Sequence, residues 1–141
     1  MSAFSPRPPQ TECQLVLVVD DRKDVAATLA KMCRAFGFSA KVAEDGVSIL
    51  ALLQRHHPAC VIVDVVMPHQ DGFEAMKEIV QYDRSLPVML VTGYGDAWLQ
   101  MGLTLGRAQG LTTVHAAAKP VLAQAVRGFL EIVRDGPIAP R

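Results

Sequence analysis

Leu15-Val-Leu-Val-Val-Asp-Asp21 is a run of five apolar residues closed by two carboxylates. The run does not alternate apolar with polar, and its length suits a strand. A strand apolar on both faces belongs inside a parallel sheet with helices above and below it. Four more short apolar runs follow, at residues 39–43, 59–63, 88–91 and 113–117. Like the first, most are rich in Val, Leu and Ile.

The segments between these runs have helical periodicity. Residues 24–36 put Val25, Leu29, Met32 and Phe36 on one stripe, with Gly37 as a stop signal. Residues 47–56 repeat the pattern with Ile49, Leu50 and Leu53 before Pro58. Residues 73–82 keep Met76, Ile79 and Val80 apolar, residues 97–108 follow, and residues 121–133 align Leu122, Val126, Phe129, Leu130 and Val133. Strand and helix thus alternate five times. That order predicts an α/β fold: a five-stranded parallel sheet with helices on both faces, a flavodoxin-like (βα)5 architecture.

One domain accounts for the chain. Residues 1–13, rich in proline at the start, read as a flexible N-terminal tail, residues 14–135 as the folded unit, and residues 136–141 as a C-terminal tail or linker stub. Of 141 residues, 50% are hydrophobic, enough for a core without a disulfide or metal staple. Fourteen basic residues balance fourteen acidic ones, which gives no basic footprint for nucleic acid. No apolar stretch approaches the ~20 residues that span a bilayer, and no signal peptide is visible. Cys13, Cys33 and Cys60 have no paired spacing and read as reduced thiols, so a cytoplasmic location is expected.

The polar residues that end the strands carry the chemistry. Asp20 and Asp21 close the first run, Asp64 the third and Thr92 the fourth, and Lys119 follows the fifth. In an open α/β sheet, ligands bind at the carboxyl ends of the strands. Taken singly, each residue has an ordinary explanation: the aspartates as turn or cap residues, Thr92 as strand propensity, Lys119 as a solvated charge. Together they bring three carboxylates, a hydroxyl and an ammonium to one rim. Clustered carboxylates need compensation, and a hard divalent cation such as Mg²⁺ supplies it with oxygen ligands. A carboxylate can also attack phosphorus and form an aspartyl phosphate, whose charge a cation and a lysine neutralise.

At these residues the chain resembles the receiver domains of bacterial two-component response regulators. The resemblance spans about residues 14–135. It rests on Leu15-Val-Leu-Val-Val-Asp-Asp21, Val63-Asp-Val-Val-Met-Pro-His-Gln-Asp-Gly72, Val91-Thr-Gly93 and Lys119-Pro120. The second motif is the most specific, an Asp followed by Met-Pro and then Asp-Gly. The resemblance implies that Asp64 is the phosphoacceptor. Asp20 and Asp21, with Asp64 and the backbone carbonyl of Val66, would hold Mg²⁺. Thr92 and Lys119 would contact the phosphoryl group, and Lys119–Pro120 would be a cis peptide. The donor would be a histidine kinase or phosphotransfer protein. The domain would catalyse only its own phosphorylation and dephosphorylation, acting alone or as the receiver of a larger regulator.

The chain departs from the family where many receivers carry an aromatic residue three positions before the lysine. Ala116 stands there. Tyr94 could contribute a ring from the neighbouring loop instead, the alternative being an ordinary exposed loop tyrosine, and Val66 with Tyr94 is expected to slow dephosphorylation. The fourth helix is apolar around its circumference, through Trp98, Leu99, Met101, Leu103, Leu105 and Ala108, and Gly102 and Gly106 are expected to loosen it. A dimer or effector surface is expected on the fourth helix, fifth strand and fifth helix. His56, His57 and His115 read as structural, while His69 could meet the kinase. The alternative is a receiver-like binding scaffold whose output ignores phosphorylation. An aspartate phosphatase would want a second Asp where Val66 stands, and a flavodoxin would not need this carboxylate and lysine cluster.

Overall fold

A computed structural model of the protein describes residues 14–43, 47–65, 72–93 and 95–135, apart from the side chains of Gly72 and Phe73. The proposed tails, Cys13, the Val66 carbonyl, Met67, Pro68, His69, Asp71 and Tyr94 lie outside the described residues. Ten elements alternate among the described residues. They are β1 (Leu15–Val19), α1 (Lys23–Ala35), β2 (Ser39–Val42), α2 (Ile49–His56), β3 (Cys60–Asp64), α3 (Gly72–Asp83), β4 (Val88–Thr92), α4 (Asp96–Gln109), β5 (Val114–Ala118) and α5 (Ala123–Asp135). All pairings in the sheet are parallel, in the order β2-β1-β3-β4-β5. The expected (βα)5 flavodoxin-like fold is therefore the observed one.

Strand alternation divides the core in two. Leu17, Val19, Val61, Val63, Val88 and Leu90 face α2, α3 and α4. Val16, Val18, Cys60, Ile62, Met89 and Val91 face α1 and α5. Central strands β1, β3 and β4 are covered on both faces, which is why their sequences carry no polar alternation. Edge strand β2, Ser-Ala-Lys-Val, is only partly covered and keeps its polar residues.

Helix ends follow local chemistry. Ser48 caps α2 by accepting from the Ala51 N–H at 3.0 Å, and Glu78 of α3 accepts from the Leu50 N–H at 2.9 Å, so two free donors of that first turn are satisfied. His57 ends α2 in the left-handed region, φ 48°, and Gly110 ends α4 at φ 112°. His57 Nδ1 meets the Tyr82 hydroxyl at 3.1 Å, and the His115 ring packs edge-on against Phe129. Both contacts agree with a structural role for these histidines.

Three sequence expectations are corrected. The α1 stripe buries Ala26, Leu29, Ala30 and Cys33, and Val25, Met32 and Phe36 line its half-buried margin. Two alanines at the centre let the helix sit close to the sheet, and the larger side chains fill the sides. Leu122 lies before α5 and is 65% exposed, because the helix starts at Ala123. Gly102 and Gly106, expected only to loosen α4, form its buried face together with Leu99.

A Cβ on Gly102 would stand 3.0 Å from Leu90 Cδ1, and one on Gly106 would stand 3.3 Å from both Leu111 Cδ1 and Met76 Sδ. Backbone thus packs directly on the core, and the bulky apolar residues of α4 are pushed to its flanks. In Gly102→Ala the helix-propensity gain of about 1 kcal/mol is set against the Leu90 contact. Gly102→Val overpacks the site and is expected to lower unfolding free energy by about 1–3 kcal/mol in urea titration. A valine variant as stable as the native chain would show that α4 can lift from β4 at no cost.

Candidate functional site

Strand order reverses at β1, whose neighbours are β2 on one side and β3 on the other. The crevice at such a point opens at the carboxyl ends of the strands. Asp20 lies just past the end of β1, Asp64 ends β3, and both are buried. Asp21 is half-exposed at the mouth. Each of the three offers a ligand atom, and these atoms all lie within 4.8 Å of one another.

Asp20 is fixed by its own turn. Its Oδ1 accepts from the Arg22 N–H at 2.9 Å, where the chain enters α1 and Arg22 itself provides no side-chain cap. This bond is the turn role that the sequence allowed the aspartates, held together with a place in the acidic cluster. Asp20 Oδ2 is held otherwise. It is buried, and the Lys119 ammonium stands 2.8 Å away and holds it in an ion pair.

Lys119 reaches the acids from the far side of the sheet. Its N–H donates to the Thr92 carbonyl at 2.8 Å, which ties the residue after β5 to the end of β4. The Lys119–Pro120 peptide is cis, as the resemblance implied. The ammonium donates to Asp64 Oδ2 at 2.8 Å while pairing with Asp20, so one cation bridges two buried carboxylates. Burial alone would pull the lysine pKa down, but the two aspartates outweigh it and hold it above its ordinary 10.5. Thr92 is fully buried at the end of β4.

The sequence-selected Asp20, Asp21, Asp64 and Lys119 are thus brought together, with Thr92 joined to Lys119 through the backbone. The donor set suits a hard cation: three carboxylates whose ligand atoms lie within 4.8 Å of one another, partly neutralised by a single ammonium. Such a cluster can coordinate a divalent metal. Ala116 pairs in register with Leu90 and is only half-buried, so no large side chain fills that position of β5. Cys33 and Cys60 sit in the α1/α5 core, where burial pushes the Cys33 thiol up to about 12 and the Cys60 thiol well above its usual range. Buried, un-ionised thiols are poor nucleophiles. No helix among the described residues is long and apolar enough to cross a membrane.

The curated relatives point the same way. Response regulator MprA of Mycobacterium sp. (strain KMS) is 35% identical over 77 residues, 55% of this chain and 34% of MprA. The C4-dicarboxylate transport transcriptional regulatory protein DctD of Pseudomonas aeruginosa is 29% identical over 134 residues, 95% of this chain and 28% of DctD. The chain thus spans about a third of the length of these two relatives. Among solved structures, Vibrio cholerae chemotaxis protein CheY4 superposes with a TM-score of 0.71 at 24% identity, covering 85% of this chain and 98% of CheY4, a likeness of fold. The family model described as the response regulator receiver domain matches residues 16–115. That match runs from the first strand into the last, through every acidic residue of the rim, and by it the chain belongs to the response regulator receiver domain family.

Proposed function

We propose that the chain is a signalling switch that accepts a phosphoryl group on Asp64 from the phosphohistidine of a histidine kinase or phosphotransfer protein, with Mg²⁺ as cofactor. The observation that carries this reading is the Lys119 ammonium shared by Asp20 and Asp64, 2.8 Å from each, inside a rim of three carboxylates. Asp20, Asp21 and Asp64 would hold the cation, joined by the Val66 carbonyl, and bound there it would neutralise phosphoryl oxygens. Asp64 supplies the attacking oxygen: an O–P bond forms, the donor's N–P bond breaks, and the imidazole keeps that electron pair and takes a proton. Lys119 then serves the phosphoryl charge, and the Thr92 hydroxyl donates to a phosphoryl oxygen. Hydrolysis of the same O–P bond returns the carboxylate, and the domain acts on no separate substrate.

Output would pass through the α4–β5–α5 face to a second copy or an effector. Exposed apolar side chains support this: Trp98 and Met101 on α4, Leu122 before α5 and Ile132 on it. The domain would span residues 14–135, alone or as one part of a longer regulator, and act in the cytoplasm, where buried free thiols stay reduced. Ala116 favours a second reading, a receiver-like scaffold whose output ignores phosphorylation.

Intact mass after incubation with acetyl phosphate separates the two. With Mg²⁺ the chain is expected to gain one phosphoryl group, and with EDTA none. No gain in either condition, with no Mg²⁺ binding by calorimetry, would favour the scaffold.

A further inference from the structure

The glycine after Thr92 is not explained by backbone geometry. Gly37, Gly95 and Gly110 have positive φ, and Gly93 does not, so any L residue could adopt its conformation. Core packing does not require it either, since Gly93 is exposed. A Cβ built there would meet, among the described residues, only Lys119, with its Cβ and Cδ both at 3.9 Å. The bond from the Lys119 N–H to the Thr92 carbonyl sets the two residues side by side. Gly93 is thus the open flank of the lysine stem.

That flank matters because Lys119 pairs with one oxygen on each of two carboxylates of the rim. Its ammonium lies 2.8 Å from Asp20 Oδ2 and 2.8 Å from Asp64 Oδ2. A divalent ion and an ammonium on the same buried oxygens repel each other. A cation that takes either of these oxygens meets the ammonium, and the Thr92 bond anchors the backbone of the lysine, so the stem is the part that can move. We propose that Gly93 is a positioning residue: its missing side chain leaves the Lys119 stem room to release Asp20 when a divalent cation binds. The inference rests on the reading of the acidic rim as a cation site. A side chain at 93 would wall the stem and keep the ammonium on the carboxylates.

The test is a double-mutant cycle on the full chain, with Mg²⁺ affinity read by calorimetry and thermal midpoints in EDTA as the check on folding. Gly93→Val is expected to weaken Mg²⁺ binding several-fold, and Gly93→Ala to weaken it less. In a Lys119→Ala background, which removes stem and ammonium together, Gly93→Val is expected to change Mg²⁺ affinity by less than twofold. Unchanged affinity in Gly93→Val, or a loss that persists without the lysine, would overturn the proposal. A native chain that binds no Mg²⁺ would overturn it together with the cation site. A native chain that binds Mg²⁺ but takes no phosphoryl group would remove only the phosphoacceptor reading, and the cycle would still decide the role of Gly93.

Discussion

Asp64→Asn is expected to leave a folded protein that takes no phosphoryl group from acetyl phosphate. Asp64 ends a central strand, is buried, and is the carboxylate that receives a hydrogen bond from Lys119. The amide has nearly the same shape but a far weaker nucleophilic oxygen, so the rate should fall to background, a loss on the order of 10⁴–10⁶. Lys119 keeps its pair with Asp20 in this variant, so the sheet ends stay joined. Intact mass and circular dichroism together make the check. A variant that is folded and still gains one phosphoryl group would place the acceptor elsewhere on the rim, with Asp21 the first residue to replace next.

Lys119→Met should separate the two uses of the acidic rim. Methionine keeps the length of the stem and loses the charge. Phosphorylation is expected to fall by about 10²–10³, the size of loss seen when one preorganised electrostatic partner is removed. Mg²⁺ affinity is expected to rise by about tenfold, because unit charges near 4 Å repel by about 1 kcal/mol in water and more at a half-buried rim. Without divalent cation the variant should lose about 1.5–3 kcal/mol of stability, since a hydrogen bond to a charged group disappears and the carboxylates face one another unscreened. Saturating Mg²⁺ should restore most of it.

The pH dependence of the native chain has a definite sign. The Lys119 pKa is held above 10.5 in the folded state. Its contribution to stability is therefore complete below about pH 10.5 and is lost as pH rises through the raised value. Urea titrations of native and Lys119→Met chains in EDTA should converge on the alkaline side of that point. A methionine variant that phosphorylates at the native rate, or binds Mg²⁺ no more tightly, would show that the ammonium does not compete for these oxygens.

Much of the site was legible because the sheet leaves little freedom. Leu15 to Val19 is apolar on both faces, so it had to be a covered parallel strand, and a parallel strand delivers the residue after it to the ligand-binding rim. Asp20, Asp64 and Thr92 could be located by that argument alone. Helix faces were less legible. Periodicity marks a wide apolar arc but not its centre, and on α1 the centre falls on Ala26, Ala30 and Cys33 while larger residues flank it. On α4 the same ambiguity hid a buried glycine face.

By itself the sequence determined the order of elements, the parallel sheet and which residue types meet at its carboxyl end, because these follow from period, length and the handedness of crossovers. Tertiary structure decided what those residues do to one another. That Lys119 bridges Asp20 and Asp64 and that Gly93 borders the lysine stem depend on side chains 44 to 99 positions apart, or on a contact between neighbouring strand ends. Distances of a few ångströms between such residues are set by the packing of the whole sheet, and no local pattern encodes them.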